Sequence, residues 1–298
     1  RFSLVTGVQT CALPICTSAF SGCHSLENID LPNTLRYIIN SAFYNCTELS
    51  PPMLPDSLEY LGGGAFSGCK PIRNLYIPSK VKSIESAFKM DSVETITVDI
   101  RNPYLDSRNN CNAVIETQTN TLLFGCKNSF VPDGVRHIGF QSLYGLAIDS
   151  IVIPSSVESI SGRAFSMCDK LIYIEFQKSD STLEIGEGAF VGTSIRCSKI
   201  GTDASEQGII GSRAFYGCSD ITELTIDHVN DIGNLAFGDC FRLSRLTFGD
   251  DVYAISSNAF KGCANLQAIH IGKNVPNYTF WNTIFPASLG ALETITVS

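Results

Sequence analysis

The sequence predicts a repeat solenoid, a right-handed coil carrying one parallel β-sheet. Three observations predict it. The dipeptide Ala-Phe recurs along the 298 residues at steps of 22 to 25 positions. A short turn ending in Cys follows most copies, and an apolar-x-x-apolar-x-apolar run follows the turn. Self-similarity at such a period marks a solenoid, and about 23 residues falls in the range of a leucine-rich repeat. One unit of this size cannot bury its own apolar face; stacked copies bury it against each other. Length alone would suggest about two domains, and the repeat overrides that estimate.

Residues 1–15 stand outside the pattern. Val5 to Ile15 resembles the conceptual translation of a sequencing-library adapter, with Arg1 to Leu4 supplied by the index bases before it. The stretch has an Arg and small residues like a secretory leader, but lacks an initiating Met and a continuous apolar core. A single solenoid is therefore expected over residues 16–298, as a fragment of a longer protein whose natural N-terminus is missing.

Within it the markers are Phe20, Phe43, Phe66, Phe88, Phe165, Phe190, Phe215, Phe237 and Phe260, each preceded by Ala. Ser142-Leu143 fills the position one step before Phe165, and Ile284-Phe285 is a degenerate last copy. About eleven repeats result. The Phe side chains are expected to stack in the interior, with Ala leaving room for neighbouring turns. After the marker turn come strands such as Ile72–Ile77 and Ile148–Ile153, whose last four residues alternate inward and outward. Pro78 and Pro154 directly after them end the ladder, having no N–H to donate. A second short stretch, such as Val81–Ile84 or Val157–Ile160, leads back to the next marker.

Two defects are expected. Pro51-Pro52 should spoil the strand of the second unit. Between Phe88 and Leu143 lies about one repeat too much, and an irregular insertion is placed at about 99–130. There Ala113–Glu116 and Thr121–Phe124 flank a polar turn and read as a β-hairpin.

The period, the Ala-Phe-x-x-Cys marker and the Ile-x-Ile-Pro strand resemble the BspA-like, treponemal-type class of leucine-rich repeats. The likeness covers about residues 17–298, including the insertion from Asn109 to Cys126. It implies a bacterial cell-surface or secreted protein, with adhesion to host matrix proteins as the implied activity. The family motif is structural and brings no catalytic positions with it.

The chain carries 21 basic and 29 acidic residues, a net charge of −8. That balance argues against nucleic acid as a partner, since affinity for phosphate rests on Lys and Arg. Charged residues are 17 % of the chain, against roughly 25 % in an ordinary globular protein. No apolar run reaches the ~18 residues of a membrane helix, so no transmembrane segment is expected in this fragment.

No constellation of reactive groups is legible. Cys23, Cys46, Cys69, Cys168, Cys218, Cys240 and Cys263 follow the marker by three residues and form a ladder. They read as free, buried thiols serving as small hydrophobes. Disulfides between turns and a zinc site are the alternatives. The ~4.8 Å turn spacing fits the Cα range of a disulfide, but it exceeds the ~3.8 Å preferred between Cβ atoms. No Cys-x-x-Cys or Cys/His cluster favours zinc. His24, His137, His228 and His270 occupy different repeat positions, so a shared site would need an accident of stacking. Gly62-Gly63-Gly64 lacks the Lys-Ser or Lys-Thr of a phosphate loop, and no Gly-x-Ser-x-Gly motif is present. Asn45-Cys46-Thr47 and Asn277-Tyr278-Thr279 match the N-glycosylation pattern, which a bacterial source would leave idle. No catalytic, metal or cofactor site is expected.

The outward strand positions remain: Asn28 and Asp30, Asn74 and Tyr76, Thr95 and Thr97, Ser150 and Val152, Tyr173 and Glu175, Cys197 and Lys199, Glu223 and Thr225, Arg245 and Thr247, Ala268 and His270, Thr294 and Thr296. The many Thr have a plain cause, since β-branched residues suit strands. Tyr76, Tyr173, Glu175, Arg245 and His270 are candidate contacts for an extracellular or host protein or glycan, aromatics being good anchors on an extended face. A structural spacer for a missing domain, or an enzyme with an unrecognised site, are the competing readings.

Overall fold

The computed structural model describes residues 13–88, 90–178, 181–197, 199–200, 208–273, 275, 281–285 and 289–297. It is a β-solenoid of about ten turns. Its only α-helix among the described residues is Trp281–Ile284. The chain divides into two compact units, one ending at Asp106 and one beginning at Ser107. The division falls inside the irregular stretch expected from the sequence.

In both units the marker turns build the core. In the first, the Phe20, Phe43, Phe66 and Phe88 rings stack face to face with centroids 5.1 to 5.3 Å apart. In the second, Phe165, Phe190, Phe215, Phe237, Phe260 and Phe285 continue at 5.0 to 5.2 Å. This spacing is close to the 4.7–4.9 Å between hydrogen-bonded strands, so backbone ladder and ring stack share one rise. Most marker Phe N–H groups donate to the carbonyl of the Ala in the following turn, as in Phe43 to Ala65 and Phe215 to Ala236, both at 2.8 Å, and Phe260 donates to Ile284 at 3.1 Å. The Ala side chains are fully buried at these positions.

The turn has a conformational cause. Two residues before the marker Phe and two after it, the backbone enters the left-handed region. Positive φ occurs at Ser41, Arg163, Arg213 and Leu235 before the marker, and at Asn45, Gly68, Gly145, Gly217 and Asp239 after it. Gly, Asn and Asp tolerate this conformation best, which explains their prevalence at the second site.

One sheet was expected; among the described residues two sets of strands pair in parallel, giving two ladders in the first unit and three in the second. The first ladder is made by the four-residue strands. In the first unit Asn74–Ile77 pairs with Thr95–Val98. In the second, Ser150–Ile153 pairs with Tyr173–Phe176, and a separate run joins Lys199–Ile200, Glu223–Ile226, Arg245–Phe248, Ala268–Ile271 and Thr294–Val297. The other ladder is made by the second stretch of each repeat. Tyr37–Ile38, Tyr60–Leu61 and Ser83–Ile84 pair in the first unit. His137–Ile138, Ser159–Ile160, Glu184–Ile185, Gly208–Ile210, Val229–Ile232 and Ala254–Ile255 do so in the second.

Pro51-Pro52 acts as anticipated. Ser50 N–H reaches the Glu27 carbonyl at 3.0 Å, and then two residues without N–H groups follow. Neither 27–30 nor 49–52 becomes a strand, so the strand expected around Asn28 and Asp30 is missing for the same reason. The hairpin forms: Ala113–Glu116 runs antiparallel to Thr121–Gly125, with a register shift at Val114/Ile115.

At the amino end, Ile15 behaves as a further residue of the second ladder. Its N–H donates to the Tyr37 carbonyl at 3.0 Å, and its carbonyl accepts from Ile39 at 2.9 Å. Residues 1–12 and the sequon Asn277-Tyr278-Thr279 lie outside the described residues.

Candidate functional site

The outward positions of the four-residue strands form the candidate surface, and they fall on three separate ladders. Tyr76 belongs to the first unit, on Asn74–Ile77. Tyr173 and Glu175 lie on Tyr173–Phe176, in register with Ser150 and Val152. Arg245 and His270 lie on the longer run, on neighbouring strands. Tyr173 is 64 % exposed and Tyr76 48 %. Among these residues, therefore, the structure brings together two pairs within the second unit and leaves Tyr76 on the first.

Their polar ends are engaged to different degrees. Tyr76 Oη donates to Asp99 Oδ2 at 2.7 Å. Asp99 is buried and also accepts from Arg101 Nη2 at 2.7 Å and Nε at 3.0 Å, which holds its carboxyl well below the usual carboxylate range. The Tyr76 ring is thus held in place by its hydroxyl. Arg245 Nη1 lies 3.6 Å from Glu223 Oε1, and His270 Nδ1 is 2.8 Å from Thr296 Oγ1. These are cross-strand pairs of neighbouring turns.

Cys197 departs from expectation. It is buried instead of outward. The strand there is only Lys199–Ile200, so the alternation does not extend back to residue 197. Cys23 departs in the other direction and is exposed, while Cys46, Cys69, Cys168, Cys218, Cys240 and Cys263 are buried.

The buried thiols have a function in the fold that the sequence did not disclose. Each donates to the carbonyl of the marker residue one turn earlier. Cys46 Sγ reaches Phe20 O at 3.0 Å, Cys69 reaches Phe43 O at 3.2 Å and Cys168 reaches Leu143 O at 2.9 Å. Cys218, Cys240 and Cys263 reach Phe190, Phe215 and Phe237 at 3.3, 3.4 and 3.2 Å. Among the described residues no marker Phe precedes Phe20, and Cys23 makes no bond of this kind. All seven cysteines of the marker ladder are free thiols. Burial pushes the Cys69 and Cys168 thiols up to about 11 and the Cys218 and Cys263 thiols up to about 12. These are protonated, unreactive donors, not nucleophiles.

One pair of reactive type stands on the second ladder. His137 Nδ1 lies 2.9 Å from Ser159 Oγ, and Glu184 follows in the same row. The serine stands between the histidine and the carboxylate, whereas an activated nucleophile needs the histidine in the middle. Among the described residues, no three His, Cys, Asp or Glu side chains are placed to hold a metal ion.

The chain matches the BspA type leucine rich repeat region in six copies, over residues 8–114, 120–208 and 185–296. It belongs to this BspA-type family. The match begins at residue 8, within the stretch that resembles an adapter, which agrees with the pairing of Ile15. Three solved structures share the fold. A leucine rich cell surface protein from Faecalibacterium prausnitzii is 24 % identical, with a TM-score of 0.59 over 90 % of this chain and 65 % of its own. The pneumococcal vaccine antigen PcpA is 19 % identical, TM-score 0.57, over 92 % and 68 %. A leucine-rich repeat protein from Eubacterium ventriosum is 17 % identical, TM-score 0.60, over 93 % and 79 %. This BspA-type chain therefore spans just under two thirds of the length of the Faecalibacterium protein. No curated protein matches it.

Proposed function

We propose that this BspA-type chain is a non-enzymatic binding solenoid, displayed on a bacterial surface or secreted, that contacts an extracellular protein or glycan through the outward faces of its four-residue strands. Tyr76, Tyr173, Glu175, Arg245 and His270 are the anchors. One observation carries the reading: Tyr76 and Tyr173 stand exposed on strands whose inward residues are buried at Leu75 and Ile77 and half-buried at Ile174 and Phe176. Nothing in the packing requires an aromatic ring at Tyr173. The similar proteins from Faecalibacterium prausnitzii and the pneumococcus are described as a cell surface protein and a vaccine antigen, which supports the location.

The test is a binding screen of the chain against matrix proteins and host glycans. Two variants accompany it, Tyr76→Ala alone and Tyr173→Ala with His270→Ala, because these anchors lie on different ladders. Each anchor is expected to contribute about 1–2 kcal/mol to any true ligand. If both variants stay folded and bind every hit as tightly as the parent, the face is not the site. If no ligand is found, the chain is better read as a spacer.

A further inference from the structure

A hollow of about 370 Å³ opens on the second unit where successive turns enter the longer ladder. Arg196, Cys197, Asp220, Thr222, Glu223 and Arg242 line it. Its centre is one carboxylate shared by two guanidinium groups. Asp220 Oδ1 lies 2.9 Å from Arg242 Nη1, and Asp220 Oδ2 lies 3.7 Å from Arg196 Nη2. Asp220 is the more enclosed of the three; the two Arg side chains are 55 % and 63 % exposed. Glu223 is matched by Arg245 at 3.6 Å.

Within the lining two guanidinium groups, Arg196 and Arg242, share the single carboxylate of Asp220, while Glu223 pairs with Arg245, which lies outside it. Each guanidinium carries five donors in a planar fork suited to a carboxylate. One shared carboxylate leaves part of that capacity to a ligand. The lining also offers acceptors, from Asp220, Glu223 and the Thr222 hydroxyl. A matching ligand would combine one anionic group with several hydroxyl donors.

We propose that this hollow binds a uronic-acid unit of an acidic glycan. A sugar acid supplies a carboxylate for Arg196 and Arg242 and hydroxyls for the acceptors around them. A polyacidic peptide supplies only acceptors from its side chains, and Glu223 repels it. A densely sulfated chain meets the same repulsion from Asp220 and Glu223. The volume lies at the low end of the range for small-ligand sites and suits one or two sugar rings. None of the five anchors proposed above lines the hollow, and only Arg245 touches it, through Glu223.

The experiment measures binding of the full chain to a hyaluronan decasaccharide, which carries one carboxylate per disaccharide, by calorimetry at low and moderate salt. Its methyl ester, a heparin-derived decasaccharide and hexaglutamate serve as comparison probes. Binding is expected for the free acid, at least tenfold weaker for the ester, and weakened by salt. Arg196→Gln with Arg242→Gln should lower affinity at least tenfold with an unchanged circular dichroism spectrum. Glu223→Gln should raise it about threefold, which a merely structural role for Glu223 would not produce. Tyr173→Ala with His270→Ala should leave it unchanged, separating this site from the anchor face. Equal binding of ester and acid, an unaffected double Arg variant, equal or tighter binding of hexaglutamate or the heparin fragment, or no binding of hyaluronan would each overturn the proposal.

Discussion

The marker turns and the outward strand positions of the second unit obey different rules. At the marker, each residue's neighbour is another copy of itself: Phe190 lies between Phe165 and Phe215, and Ala214 between Ala189 and Ala236. At the outward positions one row runs Glu223, Arg245, Ala268, Thr294, with no two alike, and the other runs Lys199, Thr225, Thr247, His270, Thr296, where only Thr recurs. A position packed against its own repeat is constrained by periodicity, because a change in one turn must suit the turns on both sides. A position facing solvent is constrained only by what binds there. The difference separates the part of this protein that holds the coil from the part free to specify a partner.

The contrast can be broken most sharply at its centre. Phe215→Ala removes a fully buried ring stacked on both sides and should cost about 3–5 kcal/mol in urea unfolding. Tyr173→Ala, on the outward row, should stay within about 0.5 kcal/mol of the parent. Equal losses would mean that the two rows are not distinct.

Ser142 sharpens the same point from the other side. It occupies the place of the marker Ala, and its buried hydroxyl has no hydrogen-bond partner. Ser142→Ala restores the repeat and should stabilise the fold by about 1 kcal/mol, since a buried unsatisfied hydroxyl carries a desolvation penalty. A lower unfolding midpoint would show that the hydroxyl is satisfied in solution.

The turn backbone gives a smaller effect. Gly217 has φ of +73°, and an added Cβ would meet nothing within 4 Å. Gly217→Ala therefore isolates the left-handed penalty, and about 1 kcal/mol of destabilisation is expected, reduced by the lower entropy of the unfolded alanine chain. The same substitution at Gly145, also in open space at φ of +67°, should match it.

The smallest effect lies on the second ladder of the first unit. Arg36 and Lys82 bracket Glu59 at 2.5 and 2.9 Å, and their hydrogen bonds pull its carboxyl down to about 2 from an ordinary 4.5. A carboxyl held lower in the folded than in the unfolded state adds stability above about pH 4.5. That stability is lost as pH falls toward 2. The melting temperature should drop across this window, and Glu59→Gln should make the drop shallower. An identical acid profile in the variant would remove Glu59 as a contributor.

The repeated core was legible because its signal is redundant. Nine Ala-Phe copies fix the stack, and the missing N–H groups of Pro51-Pro52 locate the gap in the ladder. The second ladder was harder to see, since most of its strands are two residues long and show no alternation. The left-handed turn left a signal in the Gly, Asn and Asp that follow most markers by two. The thiol bonds left none. A cysteine in a repeat reads as a small apolar group, and only the direction of the preceding carbonyl makes it a donor. For the candidate face, sequence placed the anchors outward but could not divide them among ladders, which depends on where each pairing stops. Arg196, Asp220 and Arg242 carry no sequence signal, because each sits just ahead of a strand run, outside the inward-outward pattern.

The thiol ladder also gives the protein a built-in set of clocks. Cys46 and Cys69 in one unit, and Cys168, Cys218, Cys240 and Cys263 in the other, each hold one turn against its predecessor. Protonated and shielded, such a thiol reacts with an alkylating agent only while its own turn is open. The rate at which each cysteine acquires a label therefore reports the opening free energy of one turn. Read together, the six rates would map where along each unit the coil begins to come apart, without introducing a single foreign residue.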